Sequence, residues 1–132
     1  MAETLAFELV SPERKLASTE AEAVTIPGMM GDLTAMANHA PFLTNLRPGF
    51  VVVRNGSAEE SYFVTGGFAE ISQNTVSVLA EEAVERASVN RSYIEDKLAE
   101  AEQALASAAD GRKQAALQKV NDLKTLQGQI PG

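Results

Sequence analysis

Phe50-Val51-Val52-Val53-Arg54-Asn55-Gly56-Ser57, continued through Ser61-Tyr62-Phe63-Val64-Thr65-Gly66-Gly67-Phe68-Ala69-Glu70-Ile71-Ser72-Gln73-Asn74-Thr75-Val76-Ser77-Val78-Leu79, decides the fold class. β-Branched and aromatic runs are separated here by Asn-Gly-Ser, Gly-Gly and Ser-Gln-Asn, each a turn signal between strands. Working outward, Leu5, Phe7 and Leu9 alternate with Thr4, Ala6 and Glu8, the period of a half-buried strand. Val24 and Ile26 alternate likewise until Pro27-Gly28 stops them. Short strands with turns at this spacing predict an antiparallel β-sandwich or flattened barrel.

After Ala87 the period changes. No Gly or Pro falls between Ala83 and Asp110, and good helix formers dominate. Ile94, Leu98, Ala101, Leu105 and Ala108 make one narrow apolar stripe, with Ser88 as a candidate N-cap. Asp110-Gly111 breaks that helix. Ala116, Val120, Leu123, Leu126 and Ile130 make a second stripe, with Gly128 fraying its end. The expectation is an antiparallel two-helix hairpin with thin, alanine-rich contacts, marginal in isolation and suited to be a moving part. Residues 1–87 are thus expected to form the β-sandwich domain and residues 88–132 the helical hairpin.

Charge divides at the same place. Residues 1–87 carry 12 acids and 5 bases, while residues 88–132 carry 6 of each, for a total of −7. An acidic balance without a concentrated basic surface argues against a nucleic-acid partner. There is no cysteine, which excludes disulfides and thiolate metal sites. The longest strictly apolar run, Phe50-Val51-Val52-Val53, is far short of the ~20 residues that span a bilayer. The start, Met1-Ala2-Glu3-Thr4, has no signal-peptide pattern, so the chain is expected to stay where it is made.

Catalytic chemistry has little to stand on. His39 is the one histidine, set in a turn between Asn38 and Ala40-Pro41, with no nucleophile elbow in the chain. The carboxylates scatter rather than cluster, so no metal site and no catalytic residue is assigned. Gly28-x-x-Gly31 lacks the following Lys-Ser/Thr of a phosphate loop, and no cofactor is implied.

Several blocks resemble, in order and at consistent spacing, the epsilon subunit of bacterial F-type ATP synthase. These are Phe7-Glu8-Leu9-Val10-Ser11-Pro12-Glu13, Gly31-Asp32-Leu33, His39-Ala40-Pro41-Phe42-Leu43-Thr44, Leu46-Arg47-Pro48-Gly49, Phe63-Val64-Thr65-Gly66-Gly67-Phe68-Ala69-Glu70 and Val76-Ser77-Val78-Leu79-Ala80-Glu81. The resemblance implies a sandwich of about ten strands followed by two helices. It also implies a non-catalytic subunit of the central rotor, coupling proton-driven rotation of the c-ring to ATP synthesis. Its place would be the cytoplasmic face of the inner membrane, attached through protein partners without lipid insertion.

On that resemblance, Gly28, Met29, Met30, Gly31, Asp32 and Leu33 form the loop that faces the c-ring. Asp32 would accept a hydrogen bond or pair with a basic or amide group. Met29 and Met30 would be adaptable apolar contacts, the alternative being that they pack inside. Ser11, His39, Ala40, Pro41, Phe42 and Leu43 would face the gamma subunit, with core burial the alternative for Phe42 and Leu43.

In many bacterial relatives the hairpin extends along gamma and blocks ATP hydrolysis. Arg112, Lys113, Lys119 and Lys124 would then meet an acidic surface on the beta subunit of the alpha/beta catalytic head, against the alternative of a solvated helix face. Some relatives bind ATP through an Ile/Leu-Asp-x-x-Arg-Ala motif. Val89-Asn90-Arg91-Ser92-Tyr93-Ile94 departs from it at the Asp, Arg and Ala positions, so no nucleotide site is assigned. The competing readings are a mainly inhibitory subunit and, from another class, a free-standing β-sandwich binding module. An enzyme built around His39 is the remotest.

Overall fold

The computed structural model describes residues 3–130, which fall into two compact units divided between Arg86 and Ala87. The first holds ten strands: β1 (Leu5–Val10), β2 (Lys15–Ala21), β3 (Ala23–Gly28), β4 (Gly31–Met36), β5 (Phe42–Leu46), β6 (Gly49–Asn55), β7 (Ala58–Val64), β8 (Gly67–Ile71), β9 (Thr75–Ala80) and β10 (Ala83–Glu85). They form one sheet in the order β10-β7-β6-β3-β5-β8-β9-β1-β2, with β4 on β3. This is the β-sandwich expected from the sequence. All pairings are antiparallel except β1 with β9, which is parallel from Ala6 opposite Thr75 to Val10 opposite Leu79.

The sandwich closes because alternate side chains turn inward. Leu5, Phe7 and Leu9 of β1, Val24 and Ile26 of β3, Val51 and Val53 of β6, and Val76 and Val78 of β9 enter one core. The hairpin between β6 and β7 turns on only two residues, since Asn55 pairs with Ala58. Gly56 supplies the positive φ of +64° that the first turn position requires. Gly67 is fixed by space as well: a Cβ there would lie 2.2 Å from the Leu79 carbonyl oxygen.

The second unit holds α1 (Arg91–Ser107) and α2 (Lys113–Gln129), packed against each other and joined through a short 3-10 turn at Asp110–Arg112. The expected stripes are the less exposed sides: Ile94, Ala101, Val120, Leu123, Leu126 and Ile130 are buried. Leu98, Leu105, Ala108 and Ala116 are half-buried. Ser88 is not the N-cap. It closes a 3-10 turn at Arg86–Ser88, and the Asn90 side chain accepts from the Tyr93 N–H at 2.8 Å instead. An Asn carbonyl three residues before a free amide completes the cap that the serine is too early to reach. Gly128 lies inside α2 rather than fraying it.

Tyr62 on β7 is buried opposite Val51 and Glu85, and its hydroxyl donates to Glu60 Oε2 at 2.8 Å. Burial first, then the Glu60 hydrogen bond and the Glu60 and Glu85 charges, push its phenol up to about 12. The fold therefore favours the neutral phenol. That stabilisation is complete below the ordinary value near 10 and is lost as the pH rises towards 12. In the Tyr93→Phe chain, where Tyr62 is the remaining tyrosine, ultraviolet titration of the folded protein should give a midpoint near 12. The same chain in denaturant should titrate near 10. Equal midpoints would show that Tyr62 is neither buried nor held by Glu60.

Candidate functional site

The β3–β4 hairpin, the loop after it and the start of β5 carry the side chains singled out in the β unit, apart from Ser11. Gly28 pairs with Gly31, which leaves Met29 and Met30 as the two residues of the turn. Met30 is 97% exposed and Met29 46%, so neither packs inside. Three hydrogen bonds hold the turn's base to the end of β5 and the residue after it. The Met29 N–H donates to the Asn45 carbonyl at 2.9 Å, and the Arg47 N–H donates to the Pro27 carbonyl at 3.0 Å. Arg47 Nε donates to the Gly28 carbonyl at 2.9 Å.

Arg47 also reaches Asp32, donating from Nη2 to Oδ1 at 2.9 Å. Asp32 thus has a basic partner within its own chain, fifteen residues away in the sequence. A guanidinium does this because its donors form a rigid fork, one arm for the carbonyl and one for the carboxylate. Asp32 stays exposed and keeps acceptor capacity for a second partner. Leu33 is half-buried against the core.

The loop between β4 and β5 carries His39, Ala40 and Pro41. Asn38 takes a positive φ of 68°, and its N–H donates to the Gln73 carbonyl at 2.7 Å. His39 is half-buried, with Nδ1 2.6 Å from the Ala40 carbonyl oxygen, while Ala40 and Pro41 are exposed. Ser11 is buried instead: its N–H at 2.9 Å and hydroxyl at 3.3 Å both donate to the Arg14 carbonyl, closing the β1–β2 turn.

Phe42 and Leu43 are exposed rather than in the core. Leu43 is opposite Glu70, one diagonal from Phe68, and Phe68 is directly opposite Leu79, which is opposite Val10. With Leu43 59%, Phe68 37% and Leu79 55% exposed, these side chains make an apolar row on the outer sheet face. The sequence reading did not single out Phe68 or Leu79. The signal was strand parity: Ala69, Ile71, Val76 and Val78 point inward, which obliges Phe68 and Leu79 to point out.

The four basic residues singled out in the second unit do not share one face. Lys113 and Lys124 are eleven residues apart, about three turns, and so align, whereas Arg112 precedes α2 and Lys119 is turned away from them. Lys113 Nζ lies 3.5 Å from Asp110 Oδ1 in an exposed pair. Among the described residues no group of three His, Cys, Asp or Glu side chains is placed to hold a metal ion. No helix among them is long and apolar enough to cross a membrane. What the described side chains present is a braced methionine turn and an exposed apolar row.

The family described as ATP synthase, Delta/Epsilon chain, beta-sandwich domain, matches residues 4–86. The chain is 44% identical over 129 residues to the ATP synthase epsilon chain of a Jannaschia species, covering 98% of both. It is 45% identical over 132 residues to that of Mesorhizobium japonicum, again covering 98% of both. In fold it is similar to a chain of the Euglena gracilis mitochondrial ATP synthase, with a TM-score of 0.72 at 21% identity, covering 96% of this chain and 81% of that one.

The Arg47 brace gives a prediction. Arg47→Lys cannot serve the Gly28 carbonyl and Asp32 together, so amide hydrogen exchange at residues 28–33 should quicken. Because the Asp32 pair is exposed, the loss of global stability should stay below about 1 kcal/mol. A large fall in stability with unchanged exchange at the turn would contradict this role.

Proposed function

The chain belongs to the ATP synthase epsilon family, and on that premise we propose that it is the rotor subunit coupling c-ring rotation to ATP synthesis in the catalytic head. It is an accessory chain, not the catalyst. The observation that carries the reading is the exposed apolar row of Leu43, Phe68 and Leu79 on a closed β body. A joint that transmits torque needs a stiff body and contacts that do not yield, and sheet-borne side chains meet both needs.

In this reading the gamma subunit covers the apolar row together with His39, Ala40, Pro41 and Phe42. Ser11 acts by shaping the turn beside Val10 rather than by direct contact. The c-ring meets Gly28, Met29, Met30, Gly31, Asp32 and Leu33, with Met30 reaching furthest and Asp32 held in place by Arg47. What supports this is the exposure of both methionines and the fixed backbone beneath them. Two structurally similar chains belong to mitochondrial ATP synthase assemblies that include the c-ring. The protein would then be peripheral on the cytoplasmic face of the inner membrane, held by these partners.

The helical unit is the proposed brake on ATP hydrolysis. Its stripes are narrow, and an extended state would bring Lys113 and Lys124 on one face towards the alpha/beta head. Arg112 and Lys119 would contribute from other directions.

Epsilon-depleted ATP synthase membranes, reconstituted with the full chain and with residues 1–87, test both parts. Both forms should restore proton-driven ATP synthesis, and only the full chain should suppress hydrolysis. Failure of both to restore synthesis would sink the coupling role. Equal hydrolysis rates with the two forms would sink the brake.

A further inference from the structure

Among the described residues, sulfur is kept out of the packing. There is no cysteine, and of the four methionines the three described, Met29, Met30 and Met36, are all on the surface. Methionine ordinarily fills gaps in cores. Here the thioethers stand in water at 46%, 97% and 57% exposure, in chain order.

Met30 is the extreme case. The pairing of Gly28 with Gly31 closes the hairpin beneath it. The bonds from the Met29 N–H to Asn45 and from Arg47 to the Gly28 carbonyl hold the backbone, and neither uses a thioether. The turn is built so that its side chains can change chemically while its shape does not.

We infer that Met30, with Met29 beside it, is an oxidation site for peroxides, and that its sulfoxide makes an apolar hairpin tip polar while leaving the fold intact. A sulfur lone pair attacks one peroxide oxygen. The S–O bond forms, the O–O bond breaks, and the departing hydroxide takes the remaining proton to become water. Sulfur loses two electrons and the peroxide gains them. The product is the sulfoxide, which methionine sulfoxide reductases return to the thioether. A flexible apolar contact thereby becomes a polar, chiral one, and a partner fitted to the thioether loses that contact. The oxidation site stands on exposure and backbone geometry alone, whereas its effect on binding rests on the reading that residues 28–33 face the c-ring.

The test treats the full chain with hydrogen peroxide and follows each methionine by peptide mass spectrometry. Met30 should oxidise first, ahead of Met36 and then Met29, with an unchanged thermal midpoint. The oxidised chain should rebind epsilon-depleted membranes several-fold more weakly. The Met29→Leu/Met30→Leu chain, treated identically, should keep its binding. Oxidation of Met36 ahead of Met30, or a thermal midpoint that falls in step with Met30 sulfoxide, would overturn the inference. Normal rebinding of chain carrying Met30 sulfoxide would overturn its effect on the partner. If untreated Met29→Asp/Met30→Asp chain also rebinds normally, the c-ring reading of the tip has failed rather than the oxidation chemistry.

Discussion

The parallel pairing of β1 with β9 is the constraint on which the rest of the β unit depends. It inserts the first strand between β9 and β2, and so continues a sheet that would otherwise stop at β9. Through it Leu5, Phe7 and Leu9 enter the core, where each is almost wholly buried. The outer face depends on it too, because Leu79 meets Val10 across this pair. A contact between strands roughly 70 residues apart carries a loop-closure cost that the hairpins do not. One interaction thus closes the core and finishes the surface offered to a partner.

The two units divide the physical work. The β unit draws on large aliphatic and aromatic side chains and fixes its turns by space and conformation, as at Gly67 and Gly56. The helical unit buries chiefly Ile94, Ala101, Val120, Leu123 and Leu126, with alanines filling much of the rest. Alanine favours helix but adds little apolar area, so helix propensity is well provided for and packing is not. The first composition suits a body that carries load, the second an element that can change its arrangement.

Much of the fold is legible because the period-2 pattern of β1, the β-branched and aromatic runs of β6 and β9, and the Asn55-Gly56-Ser57 turn are local signals. β2 left no such mark: Lys15–Ala21 buries only its last residue, being the end strand of the sheet. β4 pairs only with β3, and its burial alternates weakly. The parallel register of β1 on β9 is invisible locally, since nothing in either strand names a partner so distant. The methionine turn was readable from its flanking glycines, but its brace was not, because Arg47 reaches Asp32 and Gly28 only after β5 has folded back. The apolar row was hidden for another reason. Strand parity sets Phe68 with Glu70 and Leu79 with Ser77 on the outward side, but parity within each strand does not reveal that pairing of β8 with β9 brings the two side chains opposite each other.

The central claim is that the outer row of Leu43, Phe68 and Leu79 is a preformed surface for the gamma subunit. The most direct measurement is the affinity of the full chain for isolated gamma subunit, compared with Leu43→Asp and Phe68→Asp chains whose thermal midpoints are recorded alongside. The account predicts near-native midpoints and at least a tenfold loss of affinity, about 1.4 kcal/mol, for each variant. Unchanged affinity in well-folded variants would contradict it and return the chain to a β-sandwich whose partner binds elsewhere.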